Sequence, residues 1–290
     1  LSGFDSAWLD LREPADQRAR ADALLDALAR FRAAPSLEIV DLGAGTGANL
    51  RHLSPLLGGA QHWTLIDDDP AVLAAGRTRI RSWACERGAA CSDNGGTLTI
   101  DAQGSSYRIE FTQQDLAAQI DSLPIPRGGL VTASALLDLV SAAWLDALAA
   151  RCRQQRAAVL FALSYDGRMR FEPELPDDAW LTELVNRHQR RDKGFGAALG
   201  PTAAAHAEQS FTRLGYRLSS AASDWQLDGS SAALQAALID GWLAAAIETA
   251  PDRRARLEDW ADQRRKAIAS RKSTITVGHV DVVGELPADD

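Results

Sequence analysis

The feature that most constrains this chain is the segment Glu38-Ile-Val-Asp41-Leu-Gly43-Ala-Gly45-Thr-Gly47. A short apolar, β-branched run meets three alternating glycines, and a helix-forming stretch follows from Ala48. Glycine lets the backbone pass through positive φ and lets a ligand approach main-chain atoms with no Cβ in the way. The free N–H groups at the start of the next helix favour a polar or anionic ligand group. Strand, glycine turn and helix together imply a nucleotide-like cofactor. Gly43-x-Gly45-x-x-Ala48 satisfies the dinucleotide fingerprint, whose third position admits alanine, so a nicotinamide cofactor stays open on this segment alone.

The elements that follow repeat one theme, a strand ending in an acid. His62-Trp-Thr-Leu-Ile66 reads as a buried strand closed by Asp67-Asp68-Asp69-Pro70. An acid at that tip can accept two hydrogen bonds from ribose hydroxyls, while Asp69 before Pro70 suits a helix N-cap. Tyr107 to Phe111 reads as a strand running on to Asp115-Leu116. Gly129 to Ser134 gives a fourth strand, with Asp138 opening a helix over about 138–153, and Ala157 to Ser164 gives a fifth. Alternation of strand and helix predicts a parallel, doubly wound sheet with ligands at the carboxyl ends of its strands. Each acid named here falls at such an end.

The pattern acidic-x-Gly-x-Gly-x-Gly from Asp41 to Gly47, with Asp67, Asp115-Leu116 and Ser134 in order behind it, resembles motifs I to IV of the class I S-adenosylmethionine-dependent methyltransferases. The resemblance covers about 36–165 and implies a Rossmann-like, seven-stranded sheet, mostly parallel with its last strand antiparallel. It implies S-adenosyl-L-methionine as cofactor and S-adenosyl-L-homocysteine as product. The cofactor would lie against Asp41, Gly43, Ala44, Gly45, Gly47 and Asn49 on the first loop, Asp67 and Asp68 after the second strand, Asp115 and Leu116 after the third, and Ser134 after the fourth. Methyl transfer from a sulfonium needs alignment and exclusion of water more than a catalytic triad. His188, Tyr165, Asp166 and Asp138 are the candidates around the acceptor.

Departures from that minimal pattern divide the chain into an N-terminal helical segment over 1–35, a cofactor-binding core over 36–165, a helical insertion over 166–214, and C-terminal strands with inserted helices over 215–290. The first segment is expected to place a helix from Pro14, with Leu24, Leu25, Leu28 and Phe31 burying one face. Arg12 is read as a solvated surface arginine, with pairing to a cofactor carboxylate as the alternative. Arg87 to Gly96 reads as a loop before a hairpin of 97–100 and 107–111. In the insertion, a helix from Asp177 to about Arg191 is followed by His188 to Gly196. That string reads either as a helix end capped at Gly194 or as a lid bearing His188, Asp192 and Phe195. Strand six spans Gly215 to Leu227 and strand seven Ser273 to Val283. Between them lie two helices, with stripes at Leu234, Leu238, Trp242, Ala246 and at Leu257, Trp260, Ala261, Ile268. His279, alternating with apolar neighbours, reads as a satisfied structural histidine.

Composition sets the remaining bounds. The formal net charge is −8, so the surface as a whole does not advertise nucleic acid as partner. The 31 basic residues include only 3 lysines, which beside so much alanine reads as coding bias. Cys85, Cys91 and Cys152 lack metal-ligand spacing and suit free thiols in a cytoplasm, and no His/Cys cluster suggests a metal. No apolar stretch reads as long and uninterrupted enough to span a bilayer. A small-molecule methyl acceptor is the expectation. An RNA or protein methyltransferase is the alternative, hinted at by the basic stretch over 251–272, and an NAD(P)-dependent oxidoreductase a third.

Overall fold

The computed structural model describes residues 6–21, 24, 27 and 35–287. Its helices are α1 Ser6–Ala19, α2 Ala48–Leu57, α3 Pro70–Glu86, α4 Ala142–Gln155, α5 Asp178–Gln189, α6 Ala203–Arg213, α7 Ala232–Thr249 and α8 Arg254–Ala269. The strands are β1 Leu37–Leu42, β2 Gly59–Asp67, β3 Ala90–Asn94, β4 Thr97–Ala102, β5 Ser105–Gln113, β6 Leu130–Ser134, β7 Ala158–Glu172, β8 Arg217–Ala222, β9 Trp225–Leu227 and β10 Thr274–Glu285. All ten form one sheet; nine follow one another in the order β3-β4-β5-β2-β1-β6-β7-β10-β8, and β9 also pairs with β10.

The five central strands β5-β2-β1-β6-β7 are parallel. β10 runs antiparallel to β7, β8 and β9. The doubly wound, Rossmann-like expectation holds, with ten strands rather than seven. The three additions are β3 and β4, which extend the β5 edge, and β9. Arg87 to Gly96 is therefore not simply a loop. Gly95 and Gly96 both take positive φ and close a β3–β4 hairpin.

β1 lies at the centre because both its faces are apolar. Ile39, Val40 and Leu42 are each at most 2% exposed, and the sheet's two faces feed separate clusters. Each fully buried aliphatic side chain contributes about 1.5–3 kcal/mol. A third cluster joins α5, α7, α8 and the far half of β7, where Phe171 packs edge-on against Trp242 and Trp260. The two helical stripes expected between the last strands are buried as read.

Several boundaries differ from the sequence reading. α1 begins at Ser6 and contains Pro14 in its interior. The lost backbone bond is offset by side-chain ties, Arg12 to Asp16 within the helix and Glu13 to Arg51 on α2. Leu24 is buried, whereas Leu25, Leu28 and Phe31 lie outside the described residues. β7 continues through Glu172, so the first part of the expected insertion is sheet. One helix also corrects the reading of apolar stretches. Gly229–Thr249, 21 residues at mean hydropathy 1.3, is long and apolar enough to cross a membrane by length and composition. Here 33% of that window is buried in the molecule, with Leu234, Leu238, Ile239, Trp242 and Ala246 in the third cluster.

The basic character of α8 is largely neutralised. Arg256 pairs with Asp177, Arg265 with Asp240 and Asp262, and buried Arg264 with Asp178. Arg254, Arg256, Arg264 and Arg265 of this helix are thus each paired with a carboxylate.

Candidate active site

The chain leaves β1 and turns toward β2 on one side, while β6 flanks β1 on the other. This strand-order reversal opens a crevice at the carboxyl ends, the usual ligand site of open α/β sheets. The glycine loop lines it. Gly47 is the N-cap of α2 at φ 77, and a Cβ there would fall 2.5 Å from Ile80 Cδ1. A Cβ on Gly45, at φ 54, would stand 3.2 Å from Leu9 Cδ1 of α1. Glycine is required at both positions by backbone and by space.

Asp67 ties this loop to β2. Its Oδ2 accepts from the Gly45 amide at 2.9 Å and its Oδ1 from the Asp69 amide at 3.2 Å. Burial raises its pKa, against the lowering pull of these two amides. Asp69 caps α3, accepting from Ala71 and Val72, as its sequence position implied. Asp41 is 1% exposed. Its Oδ1 accepts from Asn49 Nδ2 at 2.9 Å, while its Oδ2 is buried with no hydrogen-bond partner. Burial pushes its carboxyl up to about 7.

Asn49 does not present itself as a free cofactor contact. Its amide donates to Asp41 and Thr132, and its oxygen accepts from Arg20, so it positions Asp41. Asp115 caps the turn after β5, its Oδ1 accepting from Ala117 and Ala118. Among the described residues its Oδ2 has no hydrogen-bond partner.

Three small cavities follow this rim. One of 60 Å³ touches Asp41, Gly43, Ala44, Asn49 and Ser134; one of 80 Å³ touches Gly43, Gly45, Asp67, Ser134 and Leu136. A third, of 140 Å³, lies between Asp68, Asp115, Leu116 and the Gly194-Phe195 turn. Ten of the eleven residues expected to face the cofactor line one or another of these three cavities, and Gly47 lines none of them.

α1 roofs the first two cavities with Leu9 and Arg12. It is fastened by Glu13, which receives Arg51 Nε at 3.0 Å and Nη2 at 2.5 Å, while Arg51 Nη1 donates to Thr46 O. Arg12 is accordingly not a solvated surface arginine. Its side chain is 12% exposed, paired with Asp16 and stacked over Trp225 with Cζ 5.1 Å from the ring centroid.

Beside this groove lies a cavity of 720 Å³. Arg12, Ala135 and Leu139 line both it and the 80 Å³ cavity, so the two spaces adjoin there. Its walls come from distant elements: Trp8 of α1, Leu163, Tyr165 and Met169 of β7, Val185 and His188 of α5, Trp225 of β9, Val277 and His279 of β10. Leu238 and Trp242 of α7 complete it, with the small residues Ala237, Gly241 and Ala245 one turn apart. This explains the apolarity of α7, whose one side faces the core and whose other faces the cavity. Ala135 and Leu163, both non-glycine residues at positive φ (53 and 55), line it too. Such backbone costs about 1–2 kcal/mol per residue and clusters at functional sites.

Of the four acceptor-side candidates, three line this cavity. Asp138 is 7% exposed with its Oδ1 unpartnered, and burial pushes its carboxyl up to about 6. The Tyr165 hydroxyl donates to Asn186 at 2.8 Å, and burial pushes its pKa upward, which disqualifies it as a base. His188 links Glu248 (3.0 Å) to Lys193 Nζ (3.4 Å). Asp166 is the exception. Side chains alternate along β7, so Tyr165 points into the cavity and Asp166 away, where it pairs with Arg168.

His279 corrects its sequence reading, since it lines the cavity and its buried Nδ1 has no partner. Burial holds it neutral, at about 3. Trp8, Trp225 and Lys193 also line the cavity, and no local pattern marked them.

The segment after α5 does not cap that helix at Gly194. α5 is capped at Arg190, and Asp192 Oδ1 accepts from the Gly194 and Gly196 amides at 2.7 and 3.0 Å. This turn sets Phe195 edge-on to Trp144, 5.4 Å between centroids. Gly194 lines both the large cavity and the 140 Å³ one.

No protein-family model matches the chain, and no curated protein matches it in sequence. Solved structures do. A cyclopropane-fatty-acyl-phospholipid synthase-like protein from Lactobacillus casei ATCC 334 superposes with a TM-score of 0.53 at 13% identity, over 98% of this chain and 94% of that one. A SAM-dependent methyltransferase from Geobacter sulfurreducens, solved with S-adenosyl-L-homocysteine, gives 0.42 at 14%, over 94% and 97%. Phosphoethanolamine N-methyltransferase 2 of Haemonchus contortus gives 0.45 at 12%; it covers 99% of this chain, which spans 59% of that protein. The Lactobacillus likeness shows a shared Rossmann-like fold.

Proposed function

We propose that this chain is an S-adenosyl-L-methionine-dependent methyltransferase acting on a small molecule. The observation that carries the reading is the unpartnered, buried Asp41 Oδ2 beside two adjoining small cavities that reach Asp67, with a third at Asp115. A buried carboxylate oxygen without a donor is costly, and an ammonium group would satisfy it. The cofactor's amino acid end belongs at Asp41 and Ser134, its ribose at Asp67, and its base between Asp115, Leu116 and Phe195. The groove as it stands is narrow, so Leu9 and the rest of α1 must yield to admit the whole molecule. A dinucleotide fits less well, because a carboxylate under the glycine loop opposes a pyrophosphate there.

Bound S-adenosylmethionine would supply a methyl group on a sulfonium, already activated for in-line displacement. The chain's own part is to hold the acceptor in the 720 Å³ cavity where Arg12, Ala135 and Leu139 separate it from the groove, and to exclude water there. The size and apolar lining of the cavity support a small acceptor, and the ion-paired face of α8 argues against RNA.

The test is transfer of a labelled methyl group from S-adenosylmethionine into fractionated cell extract. Label in the small-molecule fraction supports the reading. Label confined to protein or RNA overturns its acceptor class.

A further inference from the structure

Two opposite charges that line the large cavity form no ion pair among the described residues. Asp138 leaves Oδ1 buried and unpartnered. Lys193 touches the imidazole of His188 and feels the charges of Glu248 and Asp138 without pairing with either. The neighbouring cations differ, since Arg12 is held by Asp16 and Arg191 by Glu248. The same cavity has apolar and aromatic walls, including Trp225, Trp242 and Leu238. A buried carboxylate oxygen without a donor and a partly desolvated, unpaired ammonium in such a space do not stabilise a fold. They are complementary to a ligand.

We propose that the methyl acceptor is an amphipathic small molecule with an N–H or O–H nucleophile bonded to Asp138, an apolar body along Trp225 and Trp242, and an anionic group held by Lys193. This rests on the methyltransferase reading and names the acceptor class of that site. The bond from acceptor nitrogen or oxygen to the methyl carbon forms as the carbon–sulfur bond breaks, and sulfur keeps the electron pair. The displaced proton goes to Asp138 Oδ1 and from there to solvent. Arg12 from α1, Lys193 from the turn and the Tyr165 amide from β7 face this carboxyl and oppose the effect of its burial. His188 and His279 share the cavity. The carboxylate is thus ionised at neutral pH yet more basic than an exposed one.

Calorimetry on the intact chain, saturated with S-adenosylhomocysteine, tests this with three probes: 1-naphthylamine, naphthalene-1-sulfonate and 5-aminonaphthalene-1-sulfonate. The bifunctional probe is expected to bind at least about tenfold more tightly than either other. Lys193→Ala should remove the sulfonate's advantage and leave 1-naphthylamine unaffected. Asp138→Asn should weaken both amines and spare naphthalene-1-sulfonate. Equal affinities, no binding of any probe, or indifference to Lys193→Ala overturns the proposal. Both variants should keep the parent's affinity for S-adenosylhomocysteine, which reports folding. Failure of the parent chain to bind S-adenosylhomocysteine would instead strike the methyltransferase reading itself.

Discussion

Asp41 has opposite consequences for folding and for binding. Its carboxyl lies at about 7 because of burial, against about 3.9 in an unfolded chain. Between those values the folded chain binds the proton more tightly, so stability falls as pH rises through the window and the penalty is complete above it. Asp41→Asn is therefore expected to unfold at a higher temperature than the parent at about pH 8, with the difference gone below about pH 4. The same variant should bind S-adenosylhomocysteine about ten- to a hundredfold more weakly, having lost a charge-assisted bond. Loss of both stability and affinity would mark Asp41 as structural only. At Gly47 the expectation is simpler. Gly47→Ala should cost about 1–2 kcal/mol or more in urea unfolding, from positive φ and the contact with Ile80, and adding Ile80→Val should recover part of it. These residues were legible in the sequence because their roles are local. The strand, the turn and the acids at fixed offsets specify their own geometry.

At the scale of elements, α1 is the least anticipated part. Its start was misplaced because Pro14 usually opens a helix, and only contacts made across the fold, such as Glu13 to Arg51, sustain it inside one. β3 was missed for a related reason. Ala-Cys-Ser-Asp-Asn has no apolar alternation, and all but one of its residues are exposed, so the strand depends on pairing with β4 and on ties such as Asp93 to Arg77. The Glu13–Arg51 tie makes a testable claim about α1. Glu13→Gln should speed hydrogen exchange of α1 amides about tenfold while leaving β1 and β6 protected. Unchanged exchange would show that Leu9 packing and the Asp10–Arg79 pair hold the roof by themselves.

The whole molecule divides the labour between two spaces. The sheet's carboxyl edge carries the small cavities, and the helices added around β7 and β10 line the 720 Å³ cavity proposed for the acceptor. The groove could be read ahead of the structure, since its parts follow one another in the chain. Of the cavity, only Asp138, Tyr165 and His188 could be read in that way. Trp8, His188, Trp225, Trp242 and His279 are scattered over the sequence, and their convergence depends on α1, α5 and α7 closing around β7. A ligand bridging both ends of the groove should stabilise the whole assembly. At a hundredfold excess over Kd the gain is about 2.7 kcal/mol, or several degrees in the unfolding midpoint. The most direct test is a calorimetric titration of the parent chain with S-adenosylhomocysteine and, separately, with NADH and NADPH. The account predicts one-to-one binding of S-adenosylhomocysteine and none of either nicotinamide. Tight binding of NADH or NADPH, with no heat from S-adenosylhomocysteine, would contradict it.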